Sequence, residues 1–337
     1  MTPNKGLIAI VKEITTTAKG LEASNKSSKQ KRTHMNNTIL FGNGINRLTP
    51  ENISWGQLLD LIKDGRRFND ANLPNTMIYE RVLLERPDIH EDVSYDEFEV
   101  KNRISELLKS LEKNKVYKEF FKLNVQNYLT TNYDYAFIDS VLDLDGINLP
   151  IHEYSTEDVY SIRRLKRISN QEEKIKLFWQ LHGEIRKPAT IMLGLDHYCG
   201  SIGKIDSYIK GWYRYTKDGI TKDEPSIEKK FENNSFNNSS WVELFFTSDI
   251  HIVGFSFDFS EIDLWWILNK RARLKKSKSL RGKINNKIFY YCDSIDEHKK
   301  GLFESFDIEV IIDNLSNNDD KYTEYYSNLI NRFKRIL

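Results

Sequence analysis

Short apolar runs that stop abruptly at small or polar residues, each followed by a helical pattern, constrain this chain more than any other feature. Thr38 to Phe41 ends in Gly42-Asn43-Gly44, and Asn127 to Thr130 ends in Thr131-Asn132-Tyr133-Asp134. Leu177 to Leu181 ends in His182-Gly183, and Asp249 to Val253 in Gly254-Phe255-Ser256. Two later runs, Lys287 to Tyr291 and Glu309 to Ile312, alternate with helical patterns at Ser294–Ser305 and Tyr322–Ile336. Strands this short, mostly apolar and separated by helices, suit a parallel sheet covered on both faces. The expected fold is therefore α/β, a Rossmann-like parallel sheet with helices on both faces and a helical insertion or small domain.

The segments between these runs read as mainly helical insertions at about 66–125 and 195–245 within one domain spanning 37–337. Ser54 is placed to N-cap a helix carrying Trp55, Leu58, Leu59, Leu61 and Ile62. Asn75 to Leu123 and Tyr133 to Leu142 read as helical, Val159 to Ile168 as a strand. Leu195 to Tyr215 reads as an aromatic-rich helix despite its glycines, Asn233 to Ser240 as a polar loop and Trp241 to Phe246 as a helix. Residues 1–36 read as a separate piece. There Leu7, Ile8, Ile10, Val11 and Ile14 share a helical face, ahead of a polar linker or docking arm from Ala23 to Asn37.

The 337 residues carry 50 basic and 49 acidic side chains, a formal net charge of +1. That balance speaks against direct nucleic-acid binding, which needs a basic footprint to neutralise phosphates. A small partner with its own local charge pocket fits better. The two cysteines, Cys199 and Cys292, form no CxxC pair, so no structural zinc site of the usual spacing can be built and no metal is expected. The same usage suits a reducing cytosol. The apolar run Leu7 to Val11 is too short for a signal or membrane segment, and Glu13 follows it, so a cytoplasmic protein with no membrane partner is expected.

The strand ends carry the candidate chemistry. Gly42-Asn43-Gly44 permits a tight turn and lets backbone N–H groups approach a pyrophosphate, although an ordinary strand-to-helix turn would use the same residues. In the next turn, the amide of Asn132 can hydrogen-bond a ribose hydroxyl and a water together, and Asp134 can orient such a group or cap the helix. His182 can accept a proton near neutrality, and a satisfied histidine at a strand end would look the same. His152, His197 and His251 have weaker contexts; His197 reads as helical and structural. Ser260-Glu261-Ile262-Asp263 reads as a helix start with acidic residues in its first turn. Leu264 to Leu268 reads as core or interface, and Arg271, Arg273, Lys275, Lys276 and Lys278 as a solvated face or a helix C-terminal charge cluster.

Taken in this order, Gly42-Asn43-Gly44-Ile45-Asn46, Thr130-Thr131-Asn132-Tyr133-Asp134, His182-Gly183 and Gly254-Phe255-Ser256 resemble the motifs of the sirtuin superfamily. Trp55-Gly56-Gln57-Leu58-Leu59 and Glu261-Ile262-Asp263-Leu264-Trp265-Trp266 look more like bacterial sirtuin-like defence effectors than deacetylases. The resemblance covers roughly residues 37 to 312. It implies that NAD is the substrate, with His182 and Asn132 catalytic. It also implies cofactor contacts from Gly42, Asn43, Gly44, Asn46, Thr131, Asp134, Gly254 and Ser256.

This chain departs from the deacylating branch in its missing zinc-ribbon cysteines, its missing Pro-Asp-Phe-Arg segment (Arg47 is the substitute) and Asn46 in place of serine. The implied activity is therefore an NAD+ glycohydrolase yielding nicotinamide and ADP-ribose, a toxic effector in bacterial anti-phage, abortive-infection defence. An NAD/ADP-ribose-binding regulatory subunit and a zinc-less protein deacylase are the alternatives. A toxic activity implies restraint or activation by a partner. That partner is expected to be a second copy of the chain or a second defence protein, such as a nucleotide-processing enzyme or a helicase-like ATPase. Trp212–Tyr215, Trp241–Phe246 and Trp265–Trp266 are the candidate interface residues.

Overall fold

Alternate residues of the central strands serve opposite faces, and the first strand shows this directly. In a computed structural model, β1 (Asn37–Phe41) sends Ile39 and Phe41 into one apolar layer and Leu40 into the other, all essentially inaccessible to water. The structure describes residues 36–49, 52–63, 68–70, 73–85, 93–154, 159–170, 175–217, 219–315 and 320–337. The helix and linker expected over 1–36 thus fall outside the described residues, Asn36 apart.

The other strands of the main sheet are β2 (Asn127–Thr130), β3 (Ile147–Tyr154), β4 (Leu165–Asn170), β5 (Ile175–Gln180), β8 (Asp249–Val253), β9 (Ile288–Cys292) and β10 (Ile308–Ile312). They are ordered β10-β9-β8-β1-β2-β5-β4-β3, with the first six parallel, β4 antiparallel to β5, and β3 antiparallel to β4. Helices α1 (Trp55–Ile62), α2 (Asn75–Leu84), α3 (Val93–Leu108) and α4 (Lys115–Lys122) connect β1 to β2, and α5 (Ala136–Leu142) follows β2. Between β5 and β8 come α6 (Leu195–Lys210), a hairpin of β6 (Arg214–Lys217) and β7 (Ile220–Asp223), α7 (Ile227–Asn233) and α8 (Trp241–Thr247). Next come α9 (Ile262–Lys276), α10 (Glu297–Ser305) and α11 (Lys321–Ile336).

Side chains of α1 to α5 and α11 join Ile39 and Phe41 in one layer, while those of α8, α9 and α10 join Leu40, Leu129 and Ile252 in the other. Burying each such side chain stabilises the fold by about 1.5–3 kcal/mol. The result is the α/β, Rossmann-like sheet with helices on both faces. Residues Asn36–Leu337 cluster as one unit.

Several sequence expectations need correction. The run Val159 to Ile168 becomes strand only at Leu165, and β3 carries no clear strand signal because Pro150 sits in its middle. The strand survives because it is the sheet edge, where a missing N–H is tolerated; its register to β4 shifts between Asn148 and His152. The helix expected to reach Tyr215 stops at Lys210, because Gly211 takes a left-handed conformation with φ 77°. The aromatic and β-branched residues beyond it pair as the β6–β7 hairpin.

Trp241 to Phe246 are buried in the core and cannot serve as an interface, whereas Trp212 is 72% exposed. Arg271 is not solvated either. Its guanidinium is buried against the Asn286 carbonyl and Asp307.

Candidate active site

The central strands reverse direction of travel around β1: the chain passes to β2 on one side and later returns through β8 on the other. In an open parallel sheet, ligands bind outside the carboxyl ends of the strands at that switch point. A cleft of about 1150 Å³ opens there. Its walls include Asn43, Gly44, Thr131, Asn132, Asp134, His182, Gly254 and Ser256, so four separate strand-end turns meet in one place. Of the residues the sequence singled out, Gly42 and Asn46 do not line it.

The two glycine turns are fastened to each other. The Gly44 N–H donates to the Gly254 carbonyl at 2.8 Å, and a Cβ on Gly44 would stand only 2.6 Å from that oxygen. The glycines thus answer a close backbone approach, and this N–H is committed rather than offered to a phosphate. The element that follows is a short 3-10 turn, Asn46–Leu48, not an α-helix.

Asn46 is fully buried behind the cleft wall. Its amide nitrogen donates to Asn43 Oδ1 (2.9 Å) and Asp134 Oδ2 (3.0 Å), while its Oδ1 accepts from the Tyr117 hydroxyl (2.7 Å). It therefore holds two cleft residues in place instead of facing a ligand. Asp134 also accepts the Ala136 N–H at 2.9 Å, which starts α5 three residues later than the pattern suggested and leaves residues 131–135 as a loop. Burial pushes the Asp134 carboxyl up to about 6 in spite of these two bonds.

Asn132 is half-buried in that loop. Its N–H donates to Thr130 Oγ1 (3.1 Å), whose hydroxyl donates to the Phe41 carbonyl, and its side-chain amide donates to the Gly42 carbonyl at 3.3 Å. Among the described residues, the Asn132 Oδ1 accepts no hydrogen bond.

His182 is set by the glycine after it. Gly183 has φ +104°, and a Cβ there would lie 2.2 Å from the Thr190 carbonyl, so only glycine fits the turn. The imidazole is buried, its Nε2 is 3.2 Å from Asp263 Oδ2, and its Nδ1 is 3.4 Å from Glu261 Oε2. Tyr198 packs edge-on against the ring at 5.3 Å. Asp263 is fully buried and held by the Ser201 hydroxyl and the Leu264 N–H, each at 2.8 Å.

Burial by itself would favour the neutral imidazole, but Asp263 and then Glu261 outweigh it and raise the His182 pKa above the usual value. Burial also pushes the Glu261 carboxyl up to about 7, against the pull of His182 and of the Tyr198 hydroxyl, which donates to it at 3.2 Å. Donor atoms of His182, Glu261 and Asp263 lie within 4.8 Å of one another, a set with the composition of a divalent-ion site. The two carboxylates approach opposite ring nitrogens, however, whereas one ion can bind only one of them. The arrangement is a histidine ion-paired on both sides.

Glu261 and Asp263 are the functional residues that sequence reasoning missed. Flanking the first turn of α9, they satisfy the usual reason for acidic residues at a helix start. Only the turn from β5, some 80 residues earlier in the chain, shows that they face a histidine. Arg47, Asp258, Tyr290 and Lys299 also line the cleft, Arg47 and Lys299 being its cationic side chains among the described residues. His197 is structural, as its context suggested: its Nδ1 accepts the N–H groups of Leu193 and Gly194, each at 2.9 Å. No family model and no curated protein matches this sequence. No helix among the described residues is long and apolar enough to cross a membrane.

Proposed function

We propose that the cleft binds NAD+ and hydrolyses the bond between nicotinamide and ribose. The observation that carries this reading is the convergence of Asn132 and His182, from separate strand ends, on one cleft at the switch point of a parallel sheet. The size of the cleft, about 1150 Å³, suits a dinucleotide. Arg47 and Lys299 supply positive charge for a pyrophosphate, and the carboxylates of Asp134 and Asp258 suit the cationic nicotinamide ring. The resemblance of the four turns to sirtuin motifs, without zinc-ribbon cysteines, favours hydrolysis over deacylation.

In this mechanism the glycosidic bond breaks with oxocarbenium character at the ribose, and nicotinamide leaves as a neutral base. The Asn132 Oδ1 accepts from a ribose hydroxyl or from the attacking water and fixes its position. The His182 site, with its paired carboxylates, stabilises the developing positive charge and manages the proton. A positioned proton acceptor contributes about 10²- to 10⁴-fold.

Such an enzyme depletes a shared cofactor, which fits a toxic effector of anti-phage defence held in check by self-association or a second defence protein. Trp212 is an exposed aromatic available for such a contact. The test is nicotinamide release from NAD+ by the purified chain, alone and with candidate partners. His182→Ala and Asn132→Ala are expected to lose release while keeping NAD+ binding. Parent-like turnover in both variants would refute the assignment.

A further inference from the structure

Both ring nitrogens of His182 are turned toward carboxylates, and little of the ring reaches the cleft. Nε2 faces Asp263, Nδ1 faces Glu261, and the residue is 1% exposed. Asp263 is sealed beneath it and does not reach the cleft. Glu261 does: its side chain is 18% exposed and lines the cleft wall. Its Oε2 is shared by His182 and Tyr198, whereas its Oε1 accepts no hydrogen bond from any described residue. We infer that Glu261, through Oε1, is the residue that takes the proton from the attacking water, with His182 and Asp263 as positioning residues behind it. This inference rests on the NAD+ hydrolase reading.

The step balances as follows. The bond between ribose C1′ and the nicotinamide nitrogen breaks, and its electron pair neutralises the pyridinium. The water oxygen bonds to C1′, and one water proton passes to the Glu261 carboxylate and then to solvent. NAD+ and water thereby become nicotinamide, ADP-ribose and a proton. His182 keeps Glu261 oriented, and its protonated form, which Asp263 and Glu261 favour over the pull of burial, compensates the charge of that carboxylate.

Charged and titratable groups reach Glu261 from every side. They are His182 from the turn after β5, Asp263 on its own helix, Asp258 from the loop after β8, Tyr198 from α6 and Tyr133 from the loop before α5. Burial, Asp263 and Asp258 raise its pKa, His182 and Tyr198 lower it, and it comes to about 7. A base must be deprotonated to act, so turnover is lost as pH falls below about 7 and approaches a tenfold drop per unit well below it.

Glu261→Gln keeps the shape and removes the acceptor. The test measures nicotinamide release by the parent, Glu261→Gln and Glu261→Asp between about pH 5 and 9. It is combined with nuclear magnetic resonance titration of the Glu261 carboxyl and the His182 ring nitrogens. Glu261→Gln is expected to lower kcat by about 10²-fold or more, with NAD+ affinity within about threefold of the parent and the acid limb gone. Glu261→Asp should keep part of the rate.

In the parent, the carboxyl should titrate near 7, and the His182 ring should hold its proton more tightly than a free imidazole does. Parent-like turnover and pH dependence in Glu261→Gln would overturn the inference. So would a His182 ring that loses its proton while Glu261 stays ionised throughout. A parent that releases no nicotinamide refutes the hydrolase reading instead, and the titration then still decides which of the two groups exchanges the proton.

Discussion

Two buried clusters in this molecule contain the same chemistry, one base and two carboxylates, wired in opposite ways. In the segment between β5 and β8, the Lys230 ammonium donates to Glu224 (2.6 Å), Glu243 (2.6 Å) and the Tyr208 hydroxyl (3.1 Å), filling all three of its N–H positions. The second Glu243 oxygen accepts the N–H groups of Asn237 and Asn238, so the polar loop before α8 is tied to the same centre. Glu224 Oε1 accepts from Ser239. Lys230 and Glu243 are completely enclosed.

At the cleft, Glu261 lines the wall, and no described residue donates to its Oε1. The difference teaches where the work lies. A closed cluster specifies one arrangement of the chain, and an open one keeps a group able to exchange a proton.

The strongest way to break this comparison is to remove the central base of the closed cluster. Lys230→Met leaves two buried carboxylates uncompensated and is expected to destabilise the fold by about 3–5 kcal/mol in urea unfolding. A change under about 1 kcal/mol would mean that the cluster is wetter than its enclosure implies. Replacing Lys230, Glu224 and Glu243 together by apolar residues should recover most of that loss.

A third base sharpens the contrast because, among the described residues, its hydrogen-bond partner is the Tyr291 hydroxyl and not a carboxylate. His251 lies among Phe289, Tyr291 and Phe333, and burial pushes its imidazole down to about 4. The unfolded chain binds this proton near 6.5 and the folded chain does not until about 4. Its contribution is therefore intact above about 6.5 and is lost as pH falls toward 4, by about 3 kcal/mol in all. As pH is lowered through that window, the parent should lose about 3 kcal/mol of unfolding free energy relative to His251→Phe.

Gly183→Ala strikes the turn that aims His182. The left-handed backbone and the contact with Thr190 are expected to reduce stability by roughly 2 kcal/mol, and the variant should lose turnover out of proportion to that loss. The smallest effect is expected at the open cluster. Glu261→Gln should stay within about 1 kcal/mol of the parent in stability, because Glu261 already lines the cleft and one of two like charges is removed. A large loss there would make Glu261 a second structural carboxylate and erase the distinction.

The sheet was legible because a buried parallel strand is largely apolar on both faces, so β1, β5, β8 and β9 announce themselves through their side chains alone. Edge strand β3 escaped, since an edge tolerates Pro150 and needs no such pattern. The site was half legible. Asn132 and His182 stand out because their turns directly follow strong strands. The roles of Asn46 and Glu261 depend on contacts spanning many tens of residues, with Asp134 and His182, that no local pattern encodes. Gly44 shows a subtler limit: its type was readable, but its reason was the carbonyl of Gly254, not a phosphate.

Product analysis tests the central claim most directly. NAD+ is incubated with the purified chain, and any partner it requires, in the absence of acylated peptide, and nicotinamide and ADP-ribose are quantified together. The account predicts equal amounts of nicotinamide and free ADP-ribose, with release abolished in Asn132→Ala. NAD+ bound without turnover, or nicotinamide released only when an acyl or protein acceptor is supplied, would contradict it.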